Sequence, residues 1–180
     1  NIVHLLYTLN AARRMPLRDL RIVIVMFDIR NYRPGFELSA FVLSIAILLP
    51  NLIWYFIPAP TDLLRNNVSF ASPLSVAFTV LRLLAMLTAI FLINLESREP
   101  HFGVGSIIVL AFGGMYYVGW LLYYMSVAGY VAVVFVTLPA IVMLTTLAID
   151  RSNLFSLLFC IAYGCVHAVC IVNGLIAMFG

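Results

Sequence analysis

Five runs of about 20 almost uninterrupted apolar residues divide this chain, near 38–57, 74–94, 104–125, 129–149 and 154–177. An α-helix rises 1.5 Å per residue, so each run is long enough to cross roughly 30 Å of hydrocarbon. A helix at the surface of a soluble domain shows one apolar stripe, whereas these runs are apolar all round. The composition points the same way, with 64% hydrophobic and 9% charged residues against about 45–50% and ~25% in soluble domains. The predicted fold is an all-α, polytopic transmembrane helical bundle of about five spans over 38–180, preceded by an arm over 1–37. The chain opens on Asn1, which leads us to expect residues ahead of it, and no cleavable signal peptide is recognisable.

The breaks carry turn chemistry: Pro58–Ala59–Pro60–Thr61–Asp62, Glu96–Ser97–Arg98–Glu99–Pro100, Ser126 to Gly129, and Asp150–Arg151–Ser152–Asn153. Pro73 fits the first turn of the second span, where a missing N–H costs nothing. Asn153 fits an N-cap for the fifth.

Every basic residue is arginine, and their distribution sets the expected topology. Arg13, Arg14, Arg18, Arg21, Arg30 and Arg33 in the arm, Arg98 in the second loop and Arg151 in the fourth fall on one side. Only Arg65, in the first loop, falls on the other. The N-terminus is therefore expected in the cytoplasm and the C-terminus outside, and the net charge of +3 reports topology rather than nucleic-acid binding. The arm has two readings: a positive-inside anchor or piece of a longer N-terminal region, and an interfacial element whose arginines meet anionic headgroups.

The tenth arginine, Arg82, lies inside the second span. A charge there costs a few kcal/mol on insertion scales and marks a functional site by default. The acidic residues are Asp19, Asp28, Glu37, Asp62, Glu96, Glu99 and Asp150, none of them within a span. Arg82 is thus expected to have no carboxylate at its own depth, and an unpaired buried charge is strongly unfavourable. Counting 1.5 Å per residue puts Arg82 roughly 12 Å below the outer boundary, with Asn51, Trp54, Tyr117, Trp120 and His167 within about 5–15 Å of it. The inner half reads as plain Leu, Ile, Val, Phe and Ala.

Two interpretations compete at each position. Asn51 follows Pro50, whose freed carbonyl a neighbouring amide can satisfy. Trp54, Trp120, Tyr123, Tyr124 and Tyr130 fit an outer aromatic belt, and His167 fits a hydrogen-bonded packing residue. The functional reading gathers Arg82, Asn51, Trp54, Tyr117, Trp120 and His167 into an outward-facing pocket. There the planar guanidinium would meet a phosphate or carboxylate.

On the fifth span, Cys160, Gly164 and Ala168 form a small-xxx-small pattern that lets helices approach closely, within the bundle or against a homodimer or other membrane-protein partner. No C-x-x-C, H-E-x-x-H, G-x-S-x-G or phosphate-binding loop is present, and no acid lies within a span for a proton relay. Catalysis is therefore the weakest class, and neither a metal nor a cofactor is expected.

Leu49–Pro50–Asn51–Leu52–Ile53–Trp54, Tyr116–Tyr117–Val118–Gly119–Trp120 and Leu138–Pro139 resemble a family of small polytopic membrane proteins of Gram-positive bacteria, over roughly residues 40–177. The resemblance implies a multi-pass protein of the bacterial plasma membrane and brings no activity with it. That family carries an acid beside its second-span arginine, where this chain has Leu81–Arg82–Leu83. The leading expectation is binding, with translocation as its extension, of a small anionic or amphipathic ligand such as an anionic lipid. The alternative is a non-catalytic structural or regulatory subunit of a larger membrane complex, with the fifth span as its contact face.

Overall fold

The structure is a computed structural model that describes residues 28–60, 73–97, 102–126 and 130–179. Most of the arm, with Arg13, Arg14, Arg18 and Arg21, lies outside the described residues, as do Arg65, Arg98 and the readings attached to them. The fold is helical: α1 Leu38–Phe56, α2 Pro73–Phe91, α3 Val104–Tyr124, α4 Tyr130–Asp150 and α5 Leu154–Phe179. Each matches an expected span to within a few residues, except that the second run leaves the helix at Phe91. Its last residues, Leu92–Asn94, form β2, which pairs antiparallel with β1 (Tyr32–Pro34). Gly35 N–H then donates to Phe91 O at 3.0 Å and Glu37 N–H to Ile90 O at 2.8 Å, binding the described end of the arm along the end of α2.

Among the described residues, α1, α3 and Leu154–Asn173 of α5 are long and apolar enough to cross a membrane, with mean hydropathies of 1.9, 1.7 and 2.2. No more than 28% of any of these windows is buried inside the bundle, so most of their apolar surface faces outward. Val42, Leu52, Leu110, Leu121 and Ile161 are each at least half exposed. Contiguous apolar surface on this scale is what a lipid environment covers and what water does not tolerate.

Two helix pairs hold the bundle, the α3–α4 hairpin and α2 packed against α5, with α4 also on α5. The α3–α4 contact depends on glycine. A Cβ on Gly119 would stand 2.6 Å from Phe135 Cβ and 2.9 Å from Phe135 O, so the helices meet there at a separation only glycine permits. One on Gly105 would stand 2.6 Å from the Asp150 carboxylate. The glycine-dependent close approach is thus on α3, a helix for which no such pattern was expected. On α5, Cys160 is fully buried and Gly164 faces Ile141 of α4, while Ala168 is exposed.

The α4–α5 turn explains why α5 begins where it does. Asn153 N–H reaches back to Ala148 O at 2.8 Å and Ser152 N–H to Ile149 O at 3.0 Å, with Ser152 left-handed at φ 48°. That is a Schellman ending for α4. Asn153 Oδ1 immediately accepts from Ser156 N–H at 3.0 Å, making it the N-cap its position predicts.

Candidate functional site

Pro50 sets the middle of the bundle. Proline has no N–H to give the carbonyl four residues earlier, and that carbonyl, Ala46 O, accepts instead from the Tyr117 hydroxyl of α3 at 2.8 Å. A hydroxyl thus takes the role expected of an amide. One residue on, the Asn51 side chain donates to Ile47 O and to the Tyr116 hydroxyl, both at 2.8 Å, while Tyr116 donates to Ile47 O at 2.6 Å. Asn51 Oδ1 remains as an acceptor, and Arg82 Nη1 of α2 donates to it at a long 3.4 Å. The depth count brought Arg82 and Asn51 to one level, and they touch.

Arg82 lies midway between Pro73 and Phe91, about 13 Å from either end of α2. Its guanidinium sits 5.8 Å from the centre of the Phe78 ring, one turn earlier on the same face. Such a cation–π contact stabilises the charge modestly. Phe78 packs in turn on Tyr163 (4.7 Å between ring centres) and His167 (5.2 Å) of α5. The Tyr116 and Tyr163 hydroxyls both lie within electrostatic reach of the guanidinium. No described carboxylate pairs with it; the described ion pair is Arg151–Glu37, elsewhere in the bundle.

The remaining expected residues divide between the two sides of Arg82. Trp120 is buried and meets Tyr116 edge-on at 6.4 Å. Trp54 is half-buried against the same cluster. His167 is 1% exposed on the Phe78 side. Tyr117 is 45% exposed with its hydroxyl held by Ala46 O, so it stands at the rim of the group. The belt reading fails for Tyr123, which is 2% exposed and lies in the core, because level alone does not say which way a residue faces on its helix. Tyr124 is half-buried and donates to Ile57 O at 2.8 Å. His167 packs on Phe78, and among the described residues neither ring nitrogen has a hydrogen-bond partner.

Among the described residues, four side chains at this level carry buried polar atoms without hydrogen-bond partners: Arg82 Nε, Trp54 Nε1, Trp120 Nε1 and both nitrogens of His167. Three of these are obligatory N–H donors, and a buried donor left unmade costs about 1–3 kcal/mol. Tyr116, Phe78 and Tyr163 are the members that sequence did not single out. Within an apolar run an aromatic residue gives no signal that separates a hydrogen-bonding or charge-facing role from packing.

The other polar cluster lies where β1, β2 and the α4–α5 turn meet. Arg151 Nη2 pairs with Glu37 Oε1 at 3.2 Å and donates to Ser39 Oγ at 3.0 Å, while Ser39 donates to Glu37 at 2.7 Å. The Tyr32 hydroxyl donates to Ser152 O at 2.8 Å and accepts from Leu154 N–H at 2.7 Å. Asn94 donates to the same Ser152 O at 3.0 Å. Asn153 donates to Thr88 O and Leu92 O, at 3.0 and 2.7 Å. Ser156 Oγ donates to Ala85 O at 3.0 Å. This half of the bundle is therefore less plain than its Leu, Ile and Val content implied.

Comparison of the chain with known protein families, curated proteins and solved structures gives no match. The functional reading rests on the geometry of the chain itself.

Proposed function

We propose that this chain is a five-span membrane protein, N-terminus in the cytoplasm, that binds a small anionic or amphipathic ligand at Arg82. The observation that carries the reading is the imbalance around that residue. Among the described residues the mid-bundle guanidinium meets only neutral partners, the Asn51 amide at 3.4 Å and the Tyr163 hydroxyl, and the buried N–H groups of Arg82 Nε, Trp54 and Trp120 have no hydrogen-bond acceptor. A carboxylate or phosphate supplies both missing elements, negative charge and acceptor oxygens, and the planar fork of arginine suits either. Asn51, fixed by Ile47 and Tyr116, positions the guanidinium. Phe78, Tyr163 and His167 supply aromatic wall on the α5 side and Trp54 and Trp120 on the other, with Tyr117 at the rim.

Five spans are supported by the lengths of α2 and α4, 19 and 21 residues, and by their antiparallel packing on α5 and α3. The arginine distribution supports the orientation, and the resemblance in residues 49–54, 116–120 and 138–139 supports the bacterial plasma membrane. Translocation is the natural extension for a ligand held midway along a helix. The accessory-subunit reading is favoured by no comparable observation, since Cys160 and Gly164 turn towards α4 rather than outward.

Native mass spectrometry of the chain purified in mild detergent tests the proposal. The wild type is expected to retain an anionic lipid or metabolite, and Arg82→Leu to lose it while unfolding at an equal or higher temperature. A bare wild type, or the same adduct on a folded Arg82→Leu chain, overturns the reading.

A further inference from the structure

A second site lies away from Arg82, at the end of the bundle that holds Arg151. A cavity of about 440 Å³ opens there between α1, α3 and α4, bounded by Leu43, Val109, Leu110 and Leu147 on its apolar sides and by Ser39, Ser106, Asp150 and Arg151 at its polar end. Its volume falls within the ~300–1,000 Å³ of ligand sites. Tyr116, Tyr117 and Tyr124, on the far half of α3, donate to Ile47 O and Ala46 O at the middle of α1 and to Ile57 O just past its end. These ties lie from the middle of α1 outward, away from the cavity.

We propose that this groove holds one membrane lipid whose headgroup ends in an ammonium. Two features select that occupant. The first is its amphipathic shape: Asp150 and Arg151 close the end of α4, while Val109, Leu110, Leu43 and Leu147 continue inward as wall. Leu110 is 64% exposed, so the groove opens sideways to where acyl chains lie. The second is charge. The Arg151 guanidinium is balanced by Glu37 at 3.2 Å. Asp150, exposed, has no hydrogen-bond or ion-pair partner among the described residues, and its carboxylate is held against the first turn of α3, where Gly105 leaves it room. Among the described residues the three charges, Glu37, Asp150 and Arg151, leave the mouth net negative, which favours an ammonium and disfavours a headgroup with net negative charge. The headgroup ammonium sits on Asp150, and one acyl chain follows Val109 and Leu110 into the bilayer.

The site is separate from Arg82, and its test is made in the Arg82→Leu background so that no anionic lipid is counted at that residue. Delipidated Arg82→Leu chain in detergent is given dioleoyl phosphatidylethanolamine or dioleoyl phosphatidylglycerol, and retained lipid is counted by native mass spectrometry. Phosphatidylethanolamine is expected to be retained about fivefold more, the size of one exposed ion pair. Adding Asp150→Asn removes that preference, and adding Leu110→Trp fills the groove and lowers retention of both lipids. Equal retention in the Arg82→Leu background, a preference for phosphatidylglycerol there, or occupation by detergent alone overturns the proposal. So does a preference that survives in folded Asp150→Asn. Leu110 lies on the outward face, so Leu110→Trp folds whether or not Asp150→Asn does, and unchanged retention in that variant is equally fatal.

Discussion

The turn between α4 and α5 and the middle of the bundle around Arg82 are both polar, yet they are finished to different degrees. In the turn, Asn153 bonds Thr88 O, Leu92 O and Ser156 N–H, and Tyr32 bonds Ser152 O and Leu154 N–H. Among the described residues, the turn leaves over one buried donor, the Nε of an Arg151 whose guanidinium is otherwise paired, whereas at the Arg82 level buried donors on three helices are left over. A region whose hydrogen bonds close on themselves is doing structural work. A region that leaves cost unrelieved is shaped for something else, because buried polar groups are otherwise paired.

Substitutions separate these roles, and the largest effect belongs to the turn. Asn153→Ala removes a cap worth about 1 kcal/mol and two inter-element hydrogen bonds of ~0.6–1 kcal/mol each. It is expected to destabilise by about 2–3 kcal/mol in denaturant titrations of the detergent-solubilised chain. Tyr32→Phe should cost about 1–2 kcal/mol in the same assay, since Leu154 N–H and Ser152 O each lose a partner. Arg82→Leu is the opposite case: replacing a buried charge that has no ionic partner should leave stability unchanged or raise it by about 1 kcal/mol. A loss of 2 kcal/mol there would break the comparison and return Arg82 to a structural role. The smallest effect is a coupling. Tyr117→Phe should cost ~0.5–1 kcal/mol alone and less in a Pro50→Ala background, where the restored N–H serves Ala46 O. A double-mutant cycle with no coupling would show that Tyr117 does not answer Pro50.

How much was legible depended on which physical variable carried the information. Helix positions follow from run length, and all five were readable. Asn153 was readable as a cap because a capping residue stands immediately before an apolar run. The 92–94 strand was not, because its partner lies about sixty residues earlier and Leu92–Ile93–Asn94 differs in no periodic way from the helix before it. At the site, the rise per residue fixed depth well enough to bring Arg82 to Asn51. It said nothing of azimuth, so Tyr123 was set on the surface and Phe78 and Tyr163 were passed over. Ser156 and Thr88 were missed in turn because short hydroxyl side chains hide in hydropathy, bonding backbone carbonyls of their own or a neighbouring helix.

The Ser152 carbonyl also orders events in time. It faces Tyr32 and Asn94 only because Ser152 adopts the left-handed conformation that ends α4, and Leu154 N–H belongs to the first turn of α5. Residues 32 and 94 leave the ribosome long before that turn exists. A chain stopped at Asp150 should therefore exchange the amide hydrogens of Tyr32, Arg33 and Gly35 faster than the whole protein, whereas equal protection would refute the idea. The ribbon near the start of the chain works as a late seal, able to close only after the fifth helix has come into place.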